Sequence, residues 1–418
     1  MERSERIRTL ALAAKQAAHQ VAVLPTPLKN QALRTLADEL HKKKPFLKAE
    51  NEKDVRAAED TGLSPVVIDR LTLTDTVITG MAEGLNEVAQ LPDPVGEVVR
   101  MWKRPNDLLV GKVRIPLGVI GIIYESRPTV TVDAASLCLK SGNAVILRGG
   151  KEALHSNRAL ARVMQDVLKK SGIPEAAIQL IPLLDREAVY EMLTLEDYID
   201  LIIPRGGEEL IRAVVEHSRI PVIKHYKGVC HIFVDASASE DMAESIVVNA
   251  KVQRPGVCNA LETLLIHDAI APSFLPRIVS SLRKRSVEVR ACTRSLAIVP
   301  DLKEAQEDDW YQEYLALILS IKLVSSMAEA IDHIERYGSL HTDVIVTSDY
   351  ANALVFLQKV HSSVVMVNAS TRFNDGNQLG LGSEIGISTT KIHAFGPMGL
   401  EELTTLKYVV YGNGQIRE

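Results

Sequence analysis

The stretch LGVIGIIYESRPTVTVDAASLCLKSGNAVILRGGK, residues 117–151, decides the fold class. Two short apolar runs, residues 119–123 and 143–147, flank a segment of helical composition at about 130–139. Short apolar strands separated by helices are typical of a parallel sheet that is covered on both faces. We therefore predict a doubly wound α/β fold, in which ligands bind at the carboxyl ends of the strands.

The same alternation continues along the chain. Residues 153–170 and 208–217 have helical patterns, and residues 178–181 and 198–203 resemble strands. Residues 301–314 are acidic and polar, which predicts a surface loop or a short helix. Six further apolar runs separated by helical segments predict a second α/β domain: 231–234, 261–266, 296–299, 321–324, 344–346 and 364–367.

The N-terminal region, residues 2 to about 90, carries apolar residues at helical spacing and is predicted to be helical. Pro25 and Pro27 separate the first two predicted helices. Ser64 followed by Pro65 is a typical helix start, because proline is tolerated in the first turn.

A hairpin is predicted at residues 95–103 and 108–115, between the helical region and the first α/β segment. An isolated two-stranded hairpin is marginally stable in water, so it needs a cover. The β-prone run 405–411 is a candidate third strand. We expect residues 96–115 and 400–418 to form a small sheet that acts as an oligomerisation arm.

Composition excludes several classes of protein. The 418 residues are 46% hydrophobic and 24% charged, as in a globular protein of two or three domains. A net charge of -5 and an aromatic content of 4% argue against nucleic-acid binding. No apolar run reaches the ~20 residues of a membrane helix, and the N-terminus lacks a signal core. We expect a cytoplasmic protein with no membrane and no nucleic-acid partner.

The chain contains four cysteines, at positions 138, 230, 258 and 292. They show neither C-x-x-C pairing nor metal-ligand spacing, so we predict free thiols and no metal site. Cys258 follows Arg254, Pro255 and Gly256, in a turn that would hold it at a loop edge. A positive neighbour lowers the pKa of a thiol, and the thiolate is the nucleophile. These residues alone leave two interpretations open, a reactive cysteine or a structural one at a strand entrance.

Glycine pairs follow two of the predicted strands, in residues 148–151 (RGGK) and 204–207 (PRGG). Glycines let backbone N–H groups approach a phosphate, and a helix N-terminus adds a favourable dipole. The chain has neither a G-x-G-x-x-G fingerprint nor a Walker P-loop, so a standard Rossmann site is not indicated. Ordinary turns are the alternative interpretation.

The segment VSSMAEAIDHIERYGSLHTDVIV, residues 324–346, resembles the signature of the γ-glutamyl phosphate reductases, also called glutamate-5-semialdehyde dehydrogenases. Residues 117–128, 252–258 and 365–376 are also similar to that family, and the resemblance covers essentially the whole chain. The family lies within the aldehyde dehydrogenase superfamily. The resemblance implies an aldehyde-dehydrogenase-like fold with two doubly wound α/β domains plus the small β-hairpin arm.

The resemblance also implies an activity. The reaction is NADPH-dependent reduction of L-glutamyl 5-phosphate to L-glutamate 5-semialdehyde, with release of phosphate, through a cysteine thioester. This is the second step of proline biosynthesis from glutamate. A homo-oligomer is expected. Because no kinase-length segment precedes the reductase, we expect a separate glutamate kinase to supply the substrate, and it is a possible partner.

Domain functions follow from the same resemblance. Residues 1–95 and 116–229 would bind the cofactor, and residues 230–375 would form the catalytic domain. Residues 376–399 would return the chain to the cofactor domain.

Site residues are carried over one by one. The nucleophile of the superfamily maps onto Cys258. Arg148 takes the place of a lysine that meets the adenosine ribose, and Glu384 matches a glutamate that contacts the nicotinamide ribose. The remaining cofactor candidates are Gly149, Lys151, Gly206 and Gly207, of which the last two lie at the helix start near the pyrophosphate. Arg148 and Lys151 would favour the 2′-phosphate of NADPH, unless both are ordinary solvated charges.

One departure from the superfamily concerns the general base. Hydrolytic aldehyde dehydrogenases carry a general-base glutamate in an E-L-G-G-K stretch, whereas residues 225–229 here are HYKGV, with no carboxylate. That base activates the water that cleaves the thioester. A reductase that exchanges phosphate with the thioester does not need it.

The oxyanion and substrate residues are less closely matched. The oxyanion asparagine maps to the shorter Ser126, so the backbone N–H of Cys258 is the better donor. Asn259 is a further oxyanion or substrate candidate. Arg254 is a candidate for binding the acyl phosphate, with a structural salt bridge as the alternative. Candidates for the substrate's amino and carboxylate groups, which could equally cap turns, are Asn368, Ser370, Arg372 and Asn374.

Two other functions stay open at this point. One is a hydrolytic aldehyde dehydrogenase, and the other is a non-catalytic protein of the same fold. Phosphate dependence of the reverse reaction distinguishes the first from a reductase.

Overall fold

The computed structural model describes residues 3–183 and 185–417. The α-helices are α1 (Arg3–Val21), α2 (Thr26–Lys42), α3 (Lys44–Asp60), α4 (Pro65–Leu71), α5 (Asp75–Gln90), α6 (Thr129–Lys140), α7 (Leu154–Lys170), α8 (Arg186–Leu193), α9 (Glu208–His217), α10 (Glu240–Val252), α11 (Ala271–Arg283), α12 (Thr293–Leu296), α13 (Met327–Tyr337) and α14 (Tyr350–Lys359). Short 3-10 helices span Lys151–Ala153, Glu175–Ala177, Glu307–Tyr311 and Thr371–Phe373.

The strands are β1 (Val98–Lys103), β2 (Leu109–Pro116), β3 (Val119–Tyr124), β4 (Ala144–Arg148), β5 (Ile178–Leu180), β6 (Leu201–Arg205), β7 (Cys230–Val234), β8 (Leu261–His267), β9 (Glu288–Ala291), β10 (Lys303–Glu304), β11 (Ile318–Val324), β12 (Thr342–Val346), β13 (Val364–Val367), β14 (Ile387–Ser388), β15 (Gly396–Pro397) and β16 (Thr404–Tyr411). None of the helices in the described residues combines the length and hydropathy needed to cross a bilayer.

The chain divides into two compact units. Unit 1 comprises Met1–Lys224, Leu381–Gly386 and Met398–Glu418, and unit 2 comprises His225–Gly380 and Ile387–Pro397. The segment expected to return to the first domain is thus shared, because β14 pairs with β15 and residues 387–397 pack with unit 2.

Unit 1 contains a four-stranded parallel sheet in the order β5-β4-β3-β6. Every residue of β3 and β4 is buried, as the continuous apolar runs predicted. Helices α1, α6 and α7 pack against these strands. The predicted α/β class is therefore confirmed, with the carboxyl ends of β4, β3 and β6 side by side.

Unit 2 is built on a seven-stranded sheet in the order β10-β9-β11-β8-β7-β12-β13, with all neighbours parallel. Its core packs the apolar faces of β8 and β11 against α10 and α11. The order places β7 between β8 and β12, so the amino ends of these three strands lie side by side.

The predicted strand at residues 296–299 is wrong. This segment runs from the end of α12 into a turn that packs on the core, and the strand that the prediction missed is β9, which lies between β10 and β11. In β9, the side chains of Glu288 and Arg290 pair at 2.7 Å. Searching for apolar runs misses such a strand because only one of its faces is buried.

A three-stranded antiparallel sheet forms the arm of unit 1, in the order β1-β2-β16. Strand β16 pairs with the whole of β2, so the predicted third strand is confirmed. Large apolar side chains stay exposed on β1 and β16, including Val98, Tyr408 and Tyr411.

Candidate active site

The nucleophile loop, residues 253–260, joins α10 to β8 in unit 2. The Gln253 N–H donates to the Asn249 carbonyl at 3.2 Å, and the Ala260 N–H closes a turn on Val257 at 3.0 Å. Cys258 is half-buried on this loop, and all four cysteines lie among the described residues outside any disulfide. Cys258 therefore lies on a loop, as predicted.

The site lies at the amino ends of adjacent strands. Cys258 comes three residues before β8, His341 comes one residue before β12, and Cys230 begins β7 between them. The prediction placed ligands at the carboxyl ends of the strands, whereas Cys258 lies at the amino ends. The reason is that the helix-to-strand loop carries the cysteine, rather than a strand-to-helix loop.

A buried ion pair braces the two ends of the nucleophile loop. Lys251, in the last turn of α10, lies 2.6 Å from Glu262 on β8, and both side chains are fully buried. The Leu315 N–H donates to the second Glu262 oxygen at 3.2 Å. Burial raises the pKa of Glu262 and lowers the pKa of Lys251, while each charge opposes the shift in the other. Each partner therefore offsets part of the cost of burying the other.

We expect Glu262→Gln to lower the free energy of unfolding by about 3–5 kcal/mol, because it leaves the Lys251 ammonium buried without its counter-charge. Urea denaturation followed by circular dichroism measures this loss. Glu288→Gln, at an exposed ion pair of the same unit, is the control and should change the free energy by about 1 kcal/mol or less. A Glu262→Gln protein as stable as the wild type would contradict the brace.

The Cys258 carbonyl is enclosed by its neighbours. A Cβ placed on Gly228 would lie 2.0 Å from this carbonyl oxygen and 2.8 Å from the Cys258 Cα. The Cys230 thiol donates to the same oxygen at 3.2 Å. The Gly228 N–H donates to a Glu313 carboxylate oxygen at 2.9 Å. Only glycine fits at position 228, and its backbone packs directly against that of Cys258.

Two histidines lie beside the thiol. One ring nitrogen of His225, one of His341 and the Cys258 Sγ all lie within 4.8 Å of one another. The His225 Nδ1–H donates to the Ile387 carbonyl at 2.8 Å, and the His341 Nδ1 shares a hydrogen bond of 2.7 Å with the Thr342 hydroxyl. Burial lowers the pKa of His341 well below its ordinary value, and His225 lowers it further, so the His341 ring is neutral at pH 7.

Two arginines add positive charge. Burial and then the charge of Arg254 lower the pKa of Arg372, whereas Asp375 and Cys258 act in the opposite direction. The Arg372 Nε donates to the Gln253 side chain at 2.8 Å, which fixes the guanidinium to the nucleophile loop. Two like charges in each other's field, one of them coupled to Cys258, form a site suited to an anion.

The three asparagines predicted to bind substrate form hydrogen bonds with neighbouring segments of the chain. The Asn259 amide donates to the Asn374 carbonyl at 2.8 Å, and the Asn374 amide donates to the Thr342 hydroxyl at 2.7 Å. The side chain of Asn368 bonds the N–H and the carbonyl of Thr347, both at 2.9 Å. Asn368, a predicted substrate residue, thus connects the ends of two strands through its side chain. Ser370 likewise accepts from the Arg372 N–H at 3.3 Å and caps a short helix.

Ser126 belongs to unit 1, where a glutamate engages its polar groups. Its N–H and its hydroxyl both donate to the same Glu152 carboxylate oxygen, at 2.6 and 2.7 Å. A hydroxyl committed in this way has no proton to offer an oxyanion. The backbone N–H of Cys258 remains the better candidate donor.

The cofactor candidates gather at the carboxyl edge of the unit 1 sheet. The Gly207 N–H, at the start of α9, donates to a Glu125 carboxylate oxygen at 2.9 Å. Gly386 packs so closely on Arg205 that a Cβ there would lie 2.1 Å from the Arg205 Nη1, and its φ of 140° also favours glycine. Glu384 lies two residues earlier in the same segment.

Arg148 and Lys151 differ in their surroundings. Arg148 is buried, and its Nη1 donates to the Gly149 carbonyl at 2.7 Å. Burial lowers the pKa of Arg148, although Glu152 and Asp185 oppose that shift. Lys151 is exposed at the start of a short 3-10 helix. Gly149 packs against Asn157, so a side chain at position 149 has no room.

Several residues of the site escaped the sequence-based search. His341 lies inside the signature segment 324–346, which was the only local signal for it. Glu313 lies in the acidic stretch predicted as a loop, and it brings a carboxylate to Gly228 that the HYKGV stretch lacks. Cys230 and Gly228 carry no local signal of a role in the site.

Comparison with known proteins gives a consistent result. Residues 2–310 match the profile of the aldehyde dehydrogenase family. A γ-glutamyl phosphate reductase of Geobacter metallireducens is 63% identical over 417 residues, which is 99% of each chain. A protein of the same name from Geotalea daltonii is 61% identical over 415 residues, again 99% of each chain. The crystal structure of γ-glutamyl phosphate reductase from Thermotoga maritima superposes with a TM-score of 0.97 at 46% identity, and the match covers 99% of this chain and 100% of that one.

Proposed function

The chain belongs to the aldehyde dehydrogenase family and, within it, to the γ-glutamyl phosphate reductases, and from this premise we propose that it reduces L-glutamyl 5-phosphate to L-glutamate 5-semialdehyde with NADPH and releases phosphate. The observation that carries the proposal is the half-buried Cys258 with two arginines in its surroundings. An acyl phosphate needs both a nucleophile for its carbonyl and positive charge for its leaving group.

In the proposed mechanism the Cys258 thiolate attacks the acyl carbonyl, and the C–O bond to phosphate breaks. Arg254 and Arg372 bind the phosphate as its negative charge grows. The backbone N–H of Cys258 donates to the carbonyl oxygen in the tetrahedral state. Covalent catalysis thereby divides one difficult displacement into two easier steps.

NADPH, when bound, supplies the hydride that converts the thioester to the thiohemiacetal. The chain's own role in this step is to hold Cys258 in place through Gly228 and the Lys251–Glu262 brace. Collapse of the thiohemiacetal returns the thiolate and releases the aldehyde.

The residues of unit 1 fit a dinucleotide. The Gly207 N–H already binds an anionic oxygen, that of Glu125, which supports an anion site at the start of α9. The pyrophosphate of NADPH would replace this carboxylate. Arg148, Lys151 and Glu384 would hold the adenosine phosphate and the nicotinamide ribose.

His225 stands where a hydrolytic enzyme of this superfamily carries its glutamate base. The carboxylate that activates water in those enzymes is thus absent from residues 225–229, which supports transfer of the acyl group to phosphate rather than to water. Glu313 accepts the Gly228 N–H and so supports the backbone beside Cys258.

The reverse reaction tests the proposal. Glutamate 5-semialdehyde, supplied in its cyclic form, is incubated with NADP and with or without phosphate, and nicotinamide reduction is followed. Reduction that requires phosphate is expected. Reduction without phosphate would identify a hydrolytic enzyme, and no reduction by folded protein would identify a non-catalytic one. Replacing NADP by NAD in the same assay tests the preference for the 2′-phosphate.

We expect Arg254→Met to raise the KM for phosphate in this assay by roughly 10- to 100-fold, because a hydrogen bond to a charged group contributes about 1.5–3 kcal/mol. Arg283→Met is the matched control, since Arg283 pairs with Asp301 on the same unit. Its KM should match that of the wild type. An unchanged KM in Arg254→Met would remove Arg254 from the phosphate site.

The exposed apolar residues of the arm support a homo-oligomer, which light scattering would measure. A separate glutamate kinase would supply the labile acyl phosphate. We place the reaction in the cytoplasm, where unpaired thiols persist.

A further inference from the structure

Three side chains that commonly bind metals converge on one point of unit 2. They are His225, Cys258 and His341, which lie far apart in the sequence. Their ligand atoms all fall within 4.8 Å of one another. Thiolate sulfur and imidazole nitrogen are the ligands that Zn²⁺ and similar ions prefer.

His341 supplies an independent observation. Its ring is fully buried, and its Nε2 has no hydrogen-bond partner among the described residues. The Nδ1 is engaged by Thr342, so Nε2 is the nitrogen left to bind a ligand. Buried polar atoms without a hydrogen-bond partner are rare in folded proteins. A bound ion is one explanation for such an atom.

Both rings are also oriented as metal ligands usually are. Histidine ligands typically use their second nitrogen to bond a backbone carbonyl or another polar group, which fixes the tautomer and the ring orientation. His225 donates to the Ile387 carbonyl, and His341 bonds the Thr342 hydroxyl. Each ring is thus fixed by a hydrogen bond at Nδ1, as is common for histidines that bind metals.

We propose that His225, Cys258 and His341 form a binding site for Zn²⁺ or a similar divalent ion, and that occupancy reversibly inhibits the enzyme. Binding releases the thiol proton to solvent and places the sulfur on the metal, where it cannot attack an acyl carbonyl. The binding part stands on geometry alone, whereas the inhibition rests on the proposed function.

The geometry and the charges set the character of the site. Zn–S and Zn–N distances of about 2.3 and 2.0–2.1 Å require only small movements of the three side chains, and water would complete a tetrahedron. Arg254 and Arg372 repel a cation, so the ion should be removable by a chelator, unlike a structural zinc.

Cobalt(II) is the probe for the test. Full-length protein titrated with CoCl2 should show thiolate-to-cobalt charge transfer in the near ultraviolet and the intense visible bands of tetrahedral cobalt. Cys258→Ser should lose the charge-transfer band. His341→Gln and His225→Gln should each weaken binding by roughly 10-fold or more. Cys292→Ser and His361→Gln, which alter a thiol and an exposed imidazole elsewhere in unit 2, should bind cobalt like the wild type.

Several results would overturn the proposal. They are a missing charge-transfer band, a band that survives in Cys258→Ser, or histidine variants with unchanged affinity. Loss of the band in Cys230→Ala but not in Cys258→Ser would move the sulfur ligand to Cys230. Circular dichroism verifies that each variant is folded.

The inhibition is measured separately. Zn²⁺ should abolish the phosphate-dependent reaction, and EDTA should restore it. Cobalt binding in a protein without reductase activity would uphold the site and reject the proposed function. Cobalt binding with undiminished turnover would reject the inhibition.

Discussion

Cys258→Ser is expected to fold normally and to lose reductase turnover by roughly 10³-fold or more. Serine keeps the size of the side chain, but its hydroxyl is a weak nucleophile without an adjacent base. Removing a nucleophile from an assembled site typically costs several orders of magnitude in kcat. Because Cys258 is half-buried on a loop rather than in a core cluster, the free energy of unfolding should change little.

The measurement is kcat/KM in the reverse assay, together with a thermal melt. Cys292→Ser is the matched control, because Cys292 is another half-buried thiol of the same unit. Alkylation by iodoacetamide should inactivate the wild type and the control at the same rate. Activity of Cys258→Ser within tenfold of the wild type would refute the thioester mechanism.

Gly228→Ala is expected to reduce turnover by roughly 10²-fold while every chemical group of the site remains. The added methyl would fall 2.0 Å from the Cys258 carbonyl oxygen, so the backbone of the nucleophile loop must move. A misplacement of about 1 Å at a reacting atom costs about this much in rate. The strain should also lower the free energy of unfolding by about 1–3 kcal/mol.

Gly84→Ala is the control for this substitution. Gly84 lies in α5, where an added Cβ meets nothing within 4 Å. Alanine should therefore leave activity unchanged and stabilise the helix by up to about 1 kcal/mol. Comparable activity in Gly228→Ala and the wild type would show that the Gly228 backbone does not position the thiol.

The two substitutions separate chemistry from placement. Cys258→Ser removes the nucleophile and leaves its position, whereas Gly228→Ala keeps the nucleophile and displaces it. A slower reaction of Cys258 with iodoacetamide in Gly228→Ala would link the lost turnover to the displaced thiol.

Much of the fold could be predicted from local patterns. The buried strands β3 and β4 were predicted because strands buried on both faces are apolar without interruption. The third strand of the arm was predicted because an isolated hairpin is marginal. Strand β9 was missed because only one of its faces is buried, so charged residues interrupt its apolar pattern. Cys258 was found because its Pro-Gly turn and the family resemblance are both local features.

The sequence by itself determined the α/β class and the family and predicted Cys258 as the nucleophile, since each depends on residues that are neighbours in the chain. Only the tertiary structure decided what surrounds that nucleophile. His225, Cys258 and His341 meet because parallel pairing places β7 between β8 and β12, which aligns the amino ends of the three strands. The Gly228 contact follows from the same order of strands, since Gly228 precedes β7 and Cys258 precedes β8. Strand order depends on packing across the whole unit, so no spacing along the chain reveals it.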